Sequence, residues 1–287
     1  MEKIKSIGKT LLNKRVAIIS HDSGGAEILS SFVKLYRAKY SYTVSGPAIK
    51  IFKNKVNNFK ILPLKQNVDN SDIIITGTGL GSDLEYKAIV YSKKKDKIVY
   101  SYLDHWVNYR KRFIRDKKLE LPDEIWVGDK YAKKIASKLF DNVKFVPNPY
   151  WSSTIQQFKK IKKKTSSNNI IFVSSNSNRL KVKKSRDLVI FKKFLDFVKK
   201  KKINNKIIIR KHPTEKNNKF NSKIYKKTNI KLDLNKSLTS SICNCSMIFG
   251  HNSMALVIGK LCGLKTFHIN ISEKISIPKQ FIDQIVK

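Results

Sequence analysis

Short apolar runs, each closed by glycine, proline or a polar cluster, alternate along the chain with stretches whose apolar residues recur at helical spacing. Residues 15–20 (RVAIIS), 41–45, 72–76 (DIIIT), 97–103 (KIVYSYL), 124–129 (EIWVGD) and 143–147 (VKFVP) read as strands. Between them, Ile28, Leu29, Phe32, Val33 and Tyr36 mark one helix face, and further helical stretches follow Gly46-Pro47 and cover 83–92 and 131–139. The pattern restarts at 169–175 (NIIFVSS). A polar loop over 176–184 leads to a helix over 185–201, whose Leu188, Val189, Phe191, Phe194, Leu195 and Val198 form an apolar face. Strands at 206–212 (KIIIRKH), 230–234, 246–250 (SMIFG) and 266–269 (TFHI) follow, with helices expected over 237–245, over 252–261 and, at the end, around 280–286. Such alternation predicts an α/β protein with mainly parallel sheets, built as two similar halves facing a cleft. The expected division is an N-terminal domain over 1–150, a linker over 151–168 containing a Lys/Ser-rich stretch, and a C-terminal domain over 169–287.

Composition changes this picture in one respect. Sixty Lys and Arg oppose 21 Asp and Glu, a formal net charge of +39. Three readings compete: nucleic-acid binding, work at an anionic membrane face, or a general preference for Lys, Ile and Asn that leaves a solvated lysine surface. No helix-turn-helix, zinc finger, KH glycine loop or RRM aromatic pair is present, so nucleic acid is not the expected partner. No apolar run is long enough to cross a bilayer, and MEKIKSIGKTLLNKR lacks the apolar core of a signal peptide, so a cytoplasmic location is expected, with peripheral contact at the inner face of the membrane. Cys243, Cys245 and Cys262 lie in apolar segments and read as buried free thiols of a reducing compartment; no zinc-ligand spacing accompanies them.

The candidate chemistry lies where strands end. His21–Leu29 (HDSGGAEIL) is a polar double-glycine turn opening a helix, which suits an anion or ligand and places Gly24 and Gly25 against it; it is not the dinucleotide G-x-G-x-x-G. Gly77, Gly79 and Gly81 form a second glycine loop, and Asp104-His105-Trp106 closes another strand. The basic, aromatic-bearing segment Arg110–Lys118, with Trp106, Tyr109 and Phe113, suits an anionic membrane or an anionic lipid-linked glycan, or is an ordinary amphipathic or solvated segment. Arg210 and His212 share one side of their strand, Lys211 takes the other, and Pro213 stops the strand. Cationic groups there suit a phosphate; Glu215 could orient a ribose hydroxyl or stay in solvent. Gly250-His251-Asn252-Ser253 ends the next strand at a helix start, offering backbone N–H groups and a hydroxyl to a phosphoryl group, with Ser253 equally suited to be a helix cap.

Strand–Lys211-His212-Pro213 followed by strand–Gly250-His251-Asn252-Ser253–apolar helix–Gly263–strand resembles the C-terminal half of GT-B-fold transferases that build bacterial surface polysaccharides. Nearest are the glycerophosphotransferases of teichoic acid synthesis (CDP-glycerol donors) and the sialyl-, polysialyl- and Kdo-transferases using CMP-activated sugars. The resemblance covers about the last 120 residues. It implies two Rossmann-like halves, a CMP-, CDP- or UDP-linked donor, no separate cofactor, and an anionic glycan or lipid-linked acceptor. It also implies that His212 and Ser253 hold the donor's phosphate; beside them the expected donor site takes in Ser174, Arg210, Lys211, Pro213, Glu215, Gly250, His251 and Asn252. Such enzymes carry an acidic base near a glycine turn of the N-terminal half. That makes Asp22 the first candidate base, Glu27 the second, and Asp104 with His105 the third. Each carboxylate also has a structural use: Asp22 as a helix cap, Glu27 in solvent, Asp104 paired with Arg110 or Arg112. No D-x-D occurs, so metal independence is expected. A UDP-sugar 2-epimerase-like enzyme, a basic nucleic-acid-binding protein, and a non-catalytic GT-B-like subunit are the alternatives.

Overall fold

The computed structural model describes residues 2–162, 168–174, 185–212, 215, 229–235, 237–271 and 274–287. The chain divides into two compact units, Met1–Ser152 and Ser153–Lys287. In the first, helices α1 (Glu2–Leu11), α2 (Ser23–Leu35), α3 (Pro47–Lys55), α4 (Leu64–Asp69), α5 (Leu84–Lys94) and α6 (Lys130–Ala136) accompany a sheet. Its strands β1 (Arg15–Ser20), β2 (Lys39–Val44), β3 (Ile73–Thr76), β4 (Ile98–Leu103), β7 (Glu124–Val127) and β8 (Val143–Phe145) lie in the order β2-β1-β3-β4-β7-β8, every pair parallel. A small antiparallel hairpin, β5 (Ile114–Arg115) and β6 (Lys118–Leu119), stands apart from it.

The second unit carries β9 (Asn169–Val173), β10 (Ile207–Arg210), β11 (Ile230–Leu232), β12 (Cys245–Gly250), β13 (Lys265–Ile269) and β14 (Gln284–Val286), ordered β11-β10-β9-β12-β13-β14 and again all parallel. Helix α7 (Pro149–Lys162) precedes this sheet, α8 (Ser185–Lys200) follows β9, and short helices Leu238–Ile242 and Met254–Leu261 flank β12.

Central strands are covered on both faces, which is why they read as unbroken apolar runs: all four residues of β3 and the last five of β1 are buried. Beside β1, Phe32, Phe52, Tyr102 and Trp126 fill the first core. The second is an aromatic cluster in which Phe172, Phe191 and Phe194 meet Phe249, itself stacked on Phe267 at 4.4 Å and 10°.

Four local expectations need correction. The terminal segment is not a helix: a single 3₁₀ turn (Lys279–Phe281) precedes β14, where Gln284–Val286 gain a parallel ladder on β13 and the Val286 carbonyl accepts from Asn270 N at 2.8 Å. The helix expected over 237–245 is shortened to Leu238–Ile242, because Cys245 joins β12 beside Asn169. Residues 151–162 of the expected linker are helical, Pro149 supplying the fixed φ of a first helical turn. Helix α1, helix α4 and the β5–β6 hairpin were not anticipated; α1 buries Ile7 and Leu11 in the first core.

Cys243, Cys245 and Cys262 are free, and burial pushes the Cys262 thiol up to about 11. Among the described residues, no helix is long and apolar enough to cross a membrane.

Candidate functional site

In an open parallel sheet, ligands bind beyond the carboxyl ends of the strands where the strand order reverses. In the second unit the order runs third-second-first-fourth-fifth-sixth, and the reversal falls between β9 and β12. In the first unit it falls between β1 and β3. There a single parallel bridge, Tyr42 to Ile61, sits beyond β2, where the other sheet has a full strand.

At the first unit's reversal, β1 delivers His21 and Asp22. Asp22 holds the N-cap position of α2 in extended conformation, but its side chain makes no cap hydrogen bond. Its Oδ1 accepts from His21 Nδ1 at 2.8 Å and its Oδ2 from Leu80 N at 3.3 Å, in the glycine loop after β3. The His21 Nδ1 proton is thereby fixed, and Nε2 carries the lone pair. Nε2 rests against Gly46, whose φ is +54° and where a Cβ would stand 2.4 Å away, so both the turn and the close approach demand glycine.

Asp104, at the end of β4, reaches the same turn. Its Oδ1 accepts from Arg112 Nη1 at 2.6 Å, and its Oδ2 lies over Gly24, where a Cβ would stand 1.9 Å from it. Of the two arginine partners the sequence offers, the structure selects Arg112. The same Nη1 bonds the Thr78 carbonyl and, at 3.1 Å, the Thr78 hydroxyl, tying the ends of β3 and β4 together. Arg115 pairs with Asp83 at 2.6 Å and donates to the Gly79 and Ser82 carbonyls. Two arginines of the basic segment Arg110–Lys118 thus brace the glycine loop, while Arg110, Lys111, Lys117 and Lys118 are exposed. At the α2 N-terminus, where Gly24 and Gly25 are expected to meet an anion, Gly24 lies under the chain's own Asp104 carboxylate.

Glu85, in the first turn of α5, is 3% exposed and was missed by the sequence reading. Its Oε1 accepts from His21 N at 2.7 Å, while Oε2 and the nearby Ser20 hydroxyl have no hydrogen-bond partner among the described residues. Burial raises the Glu85 carboxyl above the usual range, the bond from His21 N opposes this, and the Asp22 charge adds to the rise. An acidic residue opening a helix after a glycine loop was the available signal. Glu27 is not in this group; it pairs with Lys55, which lies over the Tyr150 ring at 4.8 Å.

His105 behaves differently from His21. Its Nδ1 accepts from Trp106 N at 2.9 Å, so a neutral ring carries its proton on Nε2. Burial holds its pKa below the ordinary histidine value, Asp104 opposing and Arg112 reinforcing that shift. Trp106 Nε1 donates to Asp129 Oδ2 at 2.9 Å, and the other Asp129 oxygen caps α6 through Ala132 N at 2.8 Å.

In the second unit much of the expected donor site is turned inward. Arg210 Nη1 bonds Asp233 Oδ2 at 2.5 Å, Ser241 Oγ at 2.7 Å and the Asn235 carbonyl at 3.0 Å, with the Asp233 side chain fully buried. Nη1 thereby neutralises an internal charge. His251 is 1% exposed: Nδ1 donates to the Ile269 carbonyl at 2.8 Å, and Nε2 receives Arg186 Nη2 at 3.2 Å and Asn252 Nδ2 at 3.1 Å. Asn252, at φ +43°, also donates to the Lys274 carbonyl and accepts from Ser276 N and His268 Nε2. These two side chains scaffold the turn after β12; they do not reach out from it. Gly250 is required by packing, since a Cβ there would stand 2.6 Å from Val173 Cγ2. Ser253 caps the Met254–Leu261 helix, accepting from Ala255 N at 3.3 Å. Ser174 donates to Glu215 Oε2 at 2.8 Å, and Glu215 N donates to the His212 carbonyl at 2.9 Å, bringing three expected residues together at the ends of β9 and β10. Lys211 is half-buried, and Pro213 lies outside the described residues.

No protein-family model matches the chain, and no curated protein matches it in sequence. Solved structures do match in fold. UDP-GlcNAc 2-epimerase from Methanocaldococcus jannaschii superimposes with a TM-score of 0.61 at 13% identity, over 88% of this chain and 83% of that one. UDP-GlcNAc 2-epimerase from Neisseria meningitidis, solved bound to UDP-GlcNAc, gives 0.62 at 11% identity, over 93% and 85%. The wall teichoic acid polymerase TagF gives 0.50 at 12% identity, over 91% and 71%. With its two parallel-sheet units, the chain has the fold of the GT-B enzymes.

Proposed function

We propose that the chain is a nucleotide-sugar enzyme, a transferase that moves a sugar or a glycerol-phosphate-like group from a CMP-, CDP- or UDP-linked donor to a hydroxyl of a surface-polysaccharide or lipid-linked glycan acceptor. The observation that carries this reading is the His21–Asp22 pair at the first unit's strand reversal, with its 2.8 Å bond. Asp22 is engaged at both oxygens, so the base assigned to it from sequence passes to His21 Nε2, with Asp22 stabilising the imidazolium that forms. In a sugar transfer, His21 takes the acceptor's hydroxyl proton, the oxygen bonds to the anomeric carbon, and the bond from that carbon to the donor phosphate breaks with its electrons on the phosphate. His212 and the Ser253 turn are the groups proposed to hold that phosphate in the second unit, with Ser174 and Glu215 beside them. Anionic lipid-linked acceptors would accord with the +39 charge.

The test is nucleotide binding by thermal shift and calorimetry with CMP, CDP, UMP, UDP and GDP, on wild type and His212→Ala. Selective stabilisation by one nucleotide, lost in the variant, supports the reading and names the donor class. No response to any nucleotide, with tight salt-sensitive binding to RNA or DNA, overturns it.

A second reading, sugar epimerisation on the nucleotide, draws support from the two epimerase structures, whose TM-scores of 0.61 and 0.62 exceed TagF's 0.50. Incubation with UDP-GlcNAc and no acceptor separates the two. An epimerase yields a new UDP-linked sugar, whereas a transferase leaves the donor intact until an acceptor hydroxyl is supplied.

A further inference from the structure

A small recess opens at the ends of β4, β7 and β8, lined by Asp104, His105, Trp106, Asp129, Asn148 and Trp151. Its volume is about 10 Å³, the space of a single water-sized group. Most polar atoms around it are already engaged. Asn148 Oδ1 accepts from Tyr150 N and Trp151 N at 3.0 and 3.3 Å, Trp106 Nε1 donates to Asp129, and His105 Nδ1 is taken by Trp106 N. Among the described residues His105 Nε2 has no partner. The indoles of Trp106 and Trp151 stand 6.2 Å apart at the same recess.

Resting on the reading of the first unit as a sugar-handling site, we propose that His105 is a hydrogen-bond donor, not a base, and that its Nε2–H and the adjoining carboxylates receive one hydroxyl of a neutral, ring-shaped polyol whose body stays outside against Trp151. A hydroxyl both donates and accepts, so it satisfies the Nε2–H and a carboxylate oxygen at once; a phosphate oxygen offers only lone pairs to a recess flanked by Asp104 and Asp129. Aromatic rings beside polar groups suit the apolar face and polar rim of a pyranose. His105 thus selects and positions a ligand, while proton transfer stays with His21.

The charge state is tested first and without any ligand. Long-range ¹⁵N–¹H spectra of the full chain resolve the tautomers of its five histidines, with the His105 signals assigned through their loss in His105→Gln. The expected result is an Nε2–H ring for His105, more than half neutral at the pH of about 6.5 where an ordinary histidine is half-charged. The shift arises from burial, with the facing Asp104 opposing it and Arg112 reinforcing it. His251 serves as the internal contrast, as an Nδ1–H ring. An Nδ1–H or charged His105 at that pH overturns the proposal.

The second arm uses neutral methyl glycosides as probes, read by saturation-transfer NMR and tryptophan fluorescence. Wild type and His105→Gln, which keeps an N–H donor, bind one or more glycosides; His105→Phe binds roughly tenfold more weakly, the loss expected for one hydrogen bond. Inorganic phosphate does not compete. Absence of glycoside contact in wild type, equal binding by His105→Phe, or displacement by phosphate each overturns it. Nucleotide binding through His212 is read separately, so failure here and failure of the transferase reading are distinguishable.

Discussion

The two rims of strand ends look alike in sequence, each a polar, glycine-bearing turn at a helix start, yet they use their polar atoms in opposite ways. In the first unit, His21, Asp104 and His105 lie on glycine-bared or aromatic walls, and the Nε2 atoms of both histidines have no hydrogen-bond partner among the described residues. In the second, Arg210 Nη1, His251 and Asn252 are engaged by internal bonds to Asp233, Ile269, Lys274 and Ser276. What separates a binding group from a scaffold group is therefore not its residue type or its place in a motif. The difference lies in how many of its donors and acceptors the fold has already used.

The comparison breaks most visibly at Arg210. Arg210→Ala strands the buried Asp233 carboxylate, so unfolding by denaturant should show a loss of roughly 3–5 kcal/mol. If Arg210 were instead a phosphate ligand, stability would hold and nucleotide affinity would fall.

Next comes acid. Burial, aided by the neighbouring His251, lowers the His268 pKa from the ordinary value to about 4. Between about 6.5 and about 4 the unfolded chain binds a proton that the folded chain refuses, so this contribution to stability is fully present above 6.5 and drains away as the pH falls toward 4. Denaturation midpoints measured across that window should slope downward with acid, and His268→Asn should flatten the slope.

A smaller and more discriminating pair is Ser253→Ala against Ser237→Ala. Both hydroxyls cap a helix, accepting from Ala255 N and Ser240 N, so each change should cost about 1 kcal/mol. Only Ser253→Ala should also weaken nucleotide binding; equal affinity in both would leave Ser253 a cap and nothing more.

Gly24→Ala is expected to move stability least, by under about 1 kcal/mol, because the obstructing atom is the tip of the Asp104 side chain and alanine favours the helix. It should nonetheless turn Asp104 Oδ2 aside, with Oδ1 staying on Arg112, and reduce glycoside contact, which saturation-transfer NMR would register.

Much of the fold was legible because both sheets are buried on two faces, so that β1, β3, β9 and β12 appear as apolar runs with glycine or polar stops. Segments whose state depends on a distant partner were not legible. Gln284–Val286 is a strand because β13 offers an open edge, and β5–β6 form because Arg115 is drawn inward to Asp83. Of the candidate site, the double-glycine turn and Asp104-His105 were visible. That Asp22 accepts from His21 Nδ1 was not, since adjacency in sequence does not disclose which side chain binds the other. Glu85 was hidden for the same reason: its partner, His21 N, lies 64 residues away.

That every strand in both main sheets runs the same way has a bearing on how the chain reaches this state. No two neighbours in either sheet can be joined by a tight hairpin, so each pairing must wait for a crossover segment to close a long loop. Refolding should accordingly be slow and pass through collapsed species with bare sheet edges, the condition under which chains stick to one another. A net charge of +39 sets those species apart by mutual repulsion. Light scattering during refolding should therefore climb as salt is raised from low to physiological strength, a kinetic use for the lysines that requires no ligand.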